Sequence, residues 1–498
     1  ASIGAHTGTK EMGTDFYYSS GRQGKVSVKA SGGIEDVRKE VSGYYNKTKG
    51  FDTSSSNMYG PRRFLNLGFD YAFDDNRGLA LDLNFMREQF TSNSSEGTDI
   101  GVYNYDNNRS DYALTYYGKD DKNDYNLRMY YNTLKKSNVT NENNAVTDFD
   151  HTSYDALVFE GKNSIKLDDK NVMTYGAEWT TTNMRGTRFG GGGDNKYSET
   201  FAGITKDGSE KDVDTYAAYL QDELKITDKW LLIPAVRFDH HSAFGSHTSP
   251  KMGTTYSFSD NSRVKVNYGK SFRAPTVYEL YSTMDKRMGM MNVQVLGNPD
   301  LKPEKATNFD IGFEAEQGKW SGKLGYYHNE IDNLIDSNSF FSGYVPGVGM
   351  VVKSKYYNVG EAEISGAEAE VGYNFNNNWN VKATYNYTDA KDKTTNARLN
   401  NRARQNGVVQ LSYTDNAELP FTATLWSKWY VDYLYKVSSN VNTYTFNTFN
   451  FVADKQLSKN LHVYAGVDNI FDKTLPYDEN HSYTIDGRTW RVGAEMTF

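Results

Sequence analysis

Three of the chain's 8 histidines, His240, His241 and His247, fall close together in the segment 236–250. Neutral imidazole ligates transition metals and haem iron, so one reading is a metal or haem contact. The other is a set of polar residues packed at the end of a strand. A second soft group follows in Met284, Met288, Met290 and Met291. Thioether sulfur can grip an apolar ligand or a soft metal, or the four can pack a loop tip against its neighbours. Tyr103, Tyr105, Tyr278, Tyr281, Tyr344 and Tyr356 could supply a broad phenolic surface. The carboxylates between Glu96 and Asp111 could hold a calcium ion that orders loops, or remain a solvated acidic stretch. Ser271 and His328 have the residue types of a nucleophile and its base, with no third group to orient them. Gly190 to Gly193 lacks the strand-to-helix context of a phosphate loop and reads as a flexible loop. There is no cysteine, which removes disulfides, thiolate catalysis and cysteine-based metal sites together. The net charge of −8 is spread over mixed signs, so no nucleic-acid partner is expected.

The elements that must position these residues read as strands. The chain has 498 residues, of which 37% are hydrophobic, and no run of about 20 apolar residues. In Trp490 to Phe498 apolar side chains fall on every second position. Alternate side chains of a strand point to opposite faces, so one face suits hydrocarbon and the other water. The pattern recurs along the chain. Val381, Ala383, Tyr385 and Tyr387 alternate with Lys382, Thr384, Asn386 and Thr388. Ala367, Ala369 and Val371 alternate with Glu368 and Glu370, and Val409 and Leu411 run out of phase with Arg402, Arg404 and Gln410. Charges on a lipid face would cost roughly 2–4 kcal/mol each near the midplane, which assigns Glu368, Glu370, Arg402 and Arg404 to an aqueous interior, with Arg273 expected beside them.

Short turns of turn-forming residues, such as Asp120-Asp121-Lys122-Asn123 and Asn376-Asn377-Asn378, alternate with longer polar stretches. Those stretches are 90–109, 137–151, 182–212, 273–305, 335–356 and 436–442. Outer-membrane barrels keep short turns in the periplasm and long loops outside. The expectation is one all-β domain over 1–498: a transmembrane antiparallel β-barrel of about 22 strands surrounded by outer-membrane lipid. Its 39 Tyr, 26 Phe and 7 Trp suit interfacial girdles. A soluble propeller would need a repeat per blade, and none is visible. A barrel this wide would leak unless plugged, which points to a gated transporter and not a simple pore.

Several segments carry a more specific likeness. Tyr268 to Pro275, Gly297 to Glu304, Tyr326 to Ile335, Tyr357 to Gly360, Gly366 to Glu368 and Val467 to Asp472 occur in order, up to the terminal Phe498. On these residues the chain resembles the TonB-dependent outer-membrane receptor family. The resemblance implies active import of a scarce metal chelate, an iron siderophore, haem or cobalamin, with energy from the TonB-ExbB-ExbD system and no covalent chemistry. Segment 236–250 is similar to the matching strand and loop of catecholate-siderophore and colicin receptors. Haem receptors usually carry a His between the boxes that match 272–275 and 298–301, and here there is none. The family's N-terminal plug and TonB box have no counterpart in 1–498. The expectation is therefore a plug supplied as a separate polypeptide that meets the lumen charges. A passive pore, an outer-membrane hydrolase and an adhesin are the rival classes.

Overall fold

The computed structural model describes residues 1–38, 45–46, 51–52, 58–96, 99–288, 291–346, 349–358, 360–437, 440–475, 485 and 487–498. Among them, 22 antiparallel strands form one closed barrel. Each strand pairs with its predecessor and its successor. The ring shuts where Ser2–Gly8 pairs with Thr489–Thr497, Ile3 opposite Met496. Both chain ends lie at that seam, where the Phe498 N–H donates to the Ala1 carbonyl at 2.8 Å. No helix is long and apolar enough to cross a membrane, and strands do the crossing.

The short turns gather at the end of the barrel that holds both termini. Their sequences explain them. The Asp120 carboxylate accepts from the backbone N–H of Lys122 at 2.8 Å and of Asn123 at 2.7 Å. Asn376 accepts in the same way from Asn378 and Trp379, each at 2.9 Å. These side-chain turns replace backbone bonds that the reversing chain gives up. The donated N–H groups hold the Asp120 carboxyl below the usual carboxylate range.

At the other end the expected long loops need correction. Stretches 90–109 and 137–151 are mostly strand. Arg77–Glu96 runs up and Asp99–Lys119 runs down, and Asn123–Glu142 and Ala145–Lys166 reverse over Asn143 and Asn144. Both of those asparagines have positive φ, 50° and 65°, a region Asn tolerates better than most residues. Stretch 436–442 likewise lies mostly within Phe421–Val437 and Asn440–Ser458. Among the described residues, irregular outer segments remain within 187–203, 274–303, 333–361 and 469–475. Three of these carry further structure: a 3-10 turn at Thr187–Phe189 beside the short strand Tyr197–Phe201, and a four-stranded outer sheet.

Curvature identifies the two faces. Side chains on the concave side of a barrel crowd together, and those on the convex side splay apart. Leu127 and Leu324 are 60% and 62% exposed, whereas Val158 and Ala113, of the opposite parity, are 3% and 6% exposed. The splayed set is apolar and the crowded set carries the charges. Paired residues share a face, so the register places Glu370, Lys323 and Thr384 together inside and Leu324, Ala369 and Tyr385 together outside. Ion pairs lace the interior: Arg62 to Glu35 and Glu88 at 3.2 and 3.1 Å, Arg237 to Asp239 at 2.9 Å, and Lys265 to Glu314 at 2.9 Å. Gly366 shows how close the inner packing is. A Cβ there would lie 2.3 Å from the Tyr387 carbonyl oxygen and 2.3 Å from the Tyr327 hydroxyl.

Leu324→Arg is expected to destabilise the refolded barrel by roughly 2–4 kcal/mol in lipid. Its neighbour Lys323→Gln should cost about 1 kcal/mol or less. Equal costs in urea titrations of the two variants would show that the faces are assigned wrongly.

Candidate functional site

The interior charges are held before any partner arrives. Glu370 on the strand Ala362–Asn374 pairs with Lys382 at 2.8 Å and Lys323 at 3.6 Å. Glu368, one pleat away on the same face, stands between Gly325 and Asn386. Arg404 reaches Asp432 at 3.5 Å, and Arg398 binds the same carboxylate at 2.9 Å. Asp432 sits at a bulge with φ of 54°, where the register of Phe421–Val437 against Asn440–Ser458 shifts. Arg402 lies opposite Leu434 on the same inner face as Arg404.

Arg273 lies on the inner face with Ser271, and it is also engaged. It ends the strand Ser262–Arg273 and grips two carboxylates, Glu304 at 2.6 Å and Glu279 at 3.1 Å. Glu279 in turn closes a capping box with Thr276 on the helix Val277–Tyr281. Glu304 also accepts from the Ile335 N–H at 2.8 Å. One guanidinium thus ties a loop helix, two strands and the start of the next outer hairpin.

That helix carries Tyr278 and Tyr281 into an aromatic cluster at the outer mouth. Phe189, Val213 and Val277 are buried, with Tyr154, Met184, Tyr278 and Tyr281 packed on them. Tyr278 meets Phe189 and Tyr356 edge to face, with ring centroids 6.4 and 6.3 Å apart. Burial first, and then the adjacent Tyr356 phenol, push Tyr278 up to about 12. It is therefore a neutral hydrogen-bonding phenol at physiological pH. Lys211 stacks its ammonium 4.9 Å from the Tyr281 ring centre. The glycine run 190–193, expected as a flexible loop, is close-packed instead. A Cβ on Gly192 would lie 2.0 Å from the Tyr281 carbonyl oxygen, and the Gly193 N–H donates to Ser209 Oγ at 2.8 Å.

The three histidines do not converge. His240 and His241 are consecutive on the strand Trp230–His241, so they point to opposite faces. His241 is buried, and its Nδ1 accepts from the Ala243 N–H at 3.1 Å, which closes the turn. His240 meets Ser246 Oγ at 3.0 Å, and His247 stacks on Phe272 at 4.4 Å. Each is used in local packing, and among the described residues no cluster of His and carboxylates is arranged to hold a metal. Of the carboxylates that could hold calcium, Asp106 and Asp111 lie on opposite faces, and Asp106 is bound to Arg87 at 2.6 Å. Met284 sits in the hairpin Thr283–Met288 with Met291–Leu296, where Met288 and Met291 oppose each other. Met290 lies outside the described residues. Ser271 faces inward, bonded by Asn308 at 3.2 Å, while His328 is on the outer face. They are no nucleophile–base pair.

Sequence reasoning missed the staples that build the mouth. The Met-bearing hairpin joins the outer hairpin Ile335–Val345 and Gly349–Asn358 through a parallel pairing, Met291 opposite Met350. Asn298 donates to the Tyr356 carbonyl at 3.0 Å, and Asn358 donates to the carbonyls of Lys302 and Asn333 at 2.9 and 2.8 Å. Asn333 and Asn469 take positive φ of 57° and 50°. The short motifs singled out in the sequence are largely these loop anchors.

Comparison with known proteins matches residues 4–470 to the family described as TonB dependent receptor-like, beta-barrel. The ferrienterobactin receptor of Escherichia coli K12 is 24% identical over 406 residues, covering 71% of this chain and 52% of that protein. The vitamin B12 transporter BtuB of Photobacterium profundum is 27% identical over 321 residues, covering 62% of this chain and 47% of that one. The chain spans about half the length of the curated relatives it matches. Among solved structures, a ferric enterobactin receptor (PfeA) mutant from Pseudomonas aeruginosa superposes with a TM-score of 0.80 at 17% identity, over 100% of this chain and 80% of that one. The siderophore receptor PirA from Acinetobacter baumannii gives 0.80 at 18% identity with the same coverage. At these identities the structures show a shared fold.

Arg273→Ala is expected to release the helix and the hairpin behind it, so trypsin should cut at Lys286 or Arg287 several-fold faster while the barrel stays intact. Arg273→Lys should rescue only part of the protection, because a point charge cannot bridge two carboxylates as a planar fork does. An unchanged cleavage rate in Arg273→Ala would show that the clamp holds nothing.

Proposed function

Because this chain belongs to the TonB-dependent receptor-like β-barrel family of the outer membrane, we propose that it is the barrel of a transporter that imports a scarce metal chelate, an iron siderophore before haem. The observation that carries this reading is the outer mouth. There Tyr154, Tyr278 and Tyr356 form an aromatic surface over the buried Phe189, and Lys211 and Arg188, which also face Asp194 at 2.8 Å and Asp150 at 3.6 Å, place cationic groups next to it. Flat anionic chelates need both features: aromatic faces for the ligand rings and cations for the charge. The names of the relatives agree in kind, since ferrienterobactin and siderophore receptors recur among them.

The B12 transporter among the relatives supports cobalamin as the second reading, and the phenol-rich mouth suits its broad polar surface as well. A plug filling the lumen completes the transporter, and we propose that it is a separate polypeptide. It would meet Glu368, Glu370, Arg402 and Arg404 and couple to TonB-ExbB-ExbD. The charges on the inner wall support a polar, folded occupant of this kind.

Growth on single iron sources, haem or cobalamin, with and without the protein, identifies the cargo. Tyr278→Ala should weaken binding of the rescuing ligand at least tenfold and leave barrel folding unchanged. The purified native-membrane complex should contain a second, stoichiometric small protein and conduct poorly in planar bilayers. A barrel that purifies alone and passes ions freely is a passive pore. A mass showing the plug on the same chain removes only the separate-polypeptide part.

A further inference from the structure

The mouth cluster continues along the inner wall in strand register. Lys211, Met184, Tyr154, Leu134 and Arg109 stand opposite one another across five neighbouring strands. One pleat deeper, the same register aligns Val213, Thr182, Ala156, Asn132 and Asp111, with Asn84 next to Asp111. Arg109 and Asp111 are therefore two residues apart on the lumen face of one strand, about 7 Å along it.

These two charges differ from the rest of the mouth in being uncompensated. Lys211 faces Asp194 at 2.8 Å and Arg188 faces Asp150 at 3.6 Å. Among the described residues Arg109 makes no ion pair or hydrogen bond, Asp111 makes none, and they do not pair with each other. Both line a hollow of about 540 Å³ together with Asn84, Asn132, Tyr130 and Tyr154. The space exists because Ala113 and Ala156 put only methyl groups on the inner face where their neighbours are large. Arg128, on the same wall, is already occupied. It meets Glu160 at 3.8 Å and lies over the Tyr130 ring at 4.9 Å.

An anion seated at Arg109 meets the negative Asp111 beside it, and a cation at Asp111 meets Arg109. A group that carries both charges satisfies the two at once. The Asn84 and Asn132 amides donate and accept, so they serve either end. Arg109 stands level with Tyr154 and Lys211, which puts the hollow within reach of a solute that enters from outside.

We propose that this hollow seats a zwitterionic group, with its carboxylate at Arg109 and its protonated amine at Asp111, beside the Tyr154 phenol. The cargo is then a metal chelate that carries a free amine and a free carboxylate several ångströms apart. That cargo class rests on the import reading above, whereas the preference for a zwitterion rests on the two side chains alone.

Saturation-transfer NMR of the full chain in detergent micelles tests the seat, with 4-aminobutyrate as the ligand and butyrate and butylammonium as controls. 4-Aminobutyrate should bind at least fivefold more tightly than either control. Arg109→Gln and Asp111→Asn should each abolish that preference with folded gel mobility unchanged, since neither side chain holds a partner. Arg109→Asp combined with Asp111→Arg should restore it, because the ligand can turn round. Equal binding of the three compounds, an undiminished preference in either single variant, or no recovery in the exchanged pair would each overturn the proposal. A chain that supports growth on no metal chelate yet keeps the 4-aminobutyrate preference loses the import reading and retains the seat.

Discussion

Hydrocarbon offers no partner to a bare peptide group, and every other feature of this chain follows from meeting that constraint. A strand has half its backbone donors on each edge, so a sheet in lipid must have no edges. The pairing of Ser2–Gly8 with Thr489–Thr497 removes the last two. That single seam brings together residues almost the whole chain apart, and it explains why the terminal strand keeps strict alternation to its final aromatic. A break there would expose two rows of unpaired groups to lipid at once.

Closure also creates the inside and the outside, and the sequence reports them with uneven clarity. Where lipid touches one face, alternation is sharp. Lys382, Thr384 and Asn386 against Val381, Ala383 and Tyr385 could be assigned without coordinates. Above the membrane both faces are wet, so the selection that enforces alternation ends although the strand continues. This is why 90–109 and 137–151 read as loops while Arg77–Glu96, Asp99–Lys119, Asn123–Glu142 and Ala145–Lys166 extend through them. The histidines follow the same rule. Residue type left both a ligand set and strand-end packing open, but His240 and His241 are adjacent on a strand, and period two alone places them on opposite faces, which favours packing.

The outer mouth was the least legible part, because its geometry rests on contacts between distant segments. Nothing local announces that Met291–Leu296 will pair in parallel with Gly349–Asn358. Nor does anything local announce that Asn358 will bind the carbonyls of Lys302 and Asn333. The motif residues were visible, yet their types pointed to recognition, whereas their bonds are those of anchors. Arg273 is the plainest case. Its inward face follows from the alternation, and both of its edges are taken up by Glu279 and Glu304. The phenols of the mouth are held in place by these anchors.

The same extended hairpins serve both sides of the wall. Carried above the lipid, the strand Ala145–Lys166 presents Tyr154 inward to the mouth cluster and Ser153, one residue away, outward to the convex face. A strand is stiff along its length and alternates without exception between bulges. The concave surface is therefore braced by the wall that carries it, with no hinge between them. Irregular loops of equal length would carry no such coupling, since each would order independently and at its own entropic cost. The prolonged hairpins thus hold the aromatic cluster of the mouth at a fixed height and orientation on the rim.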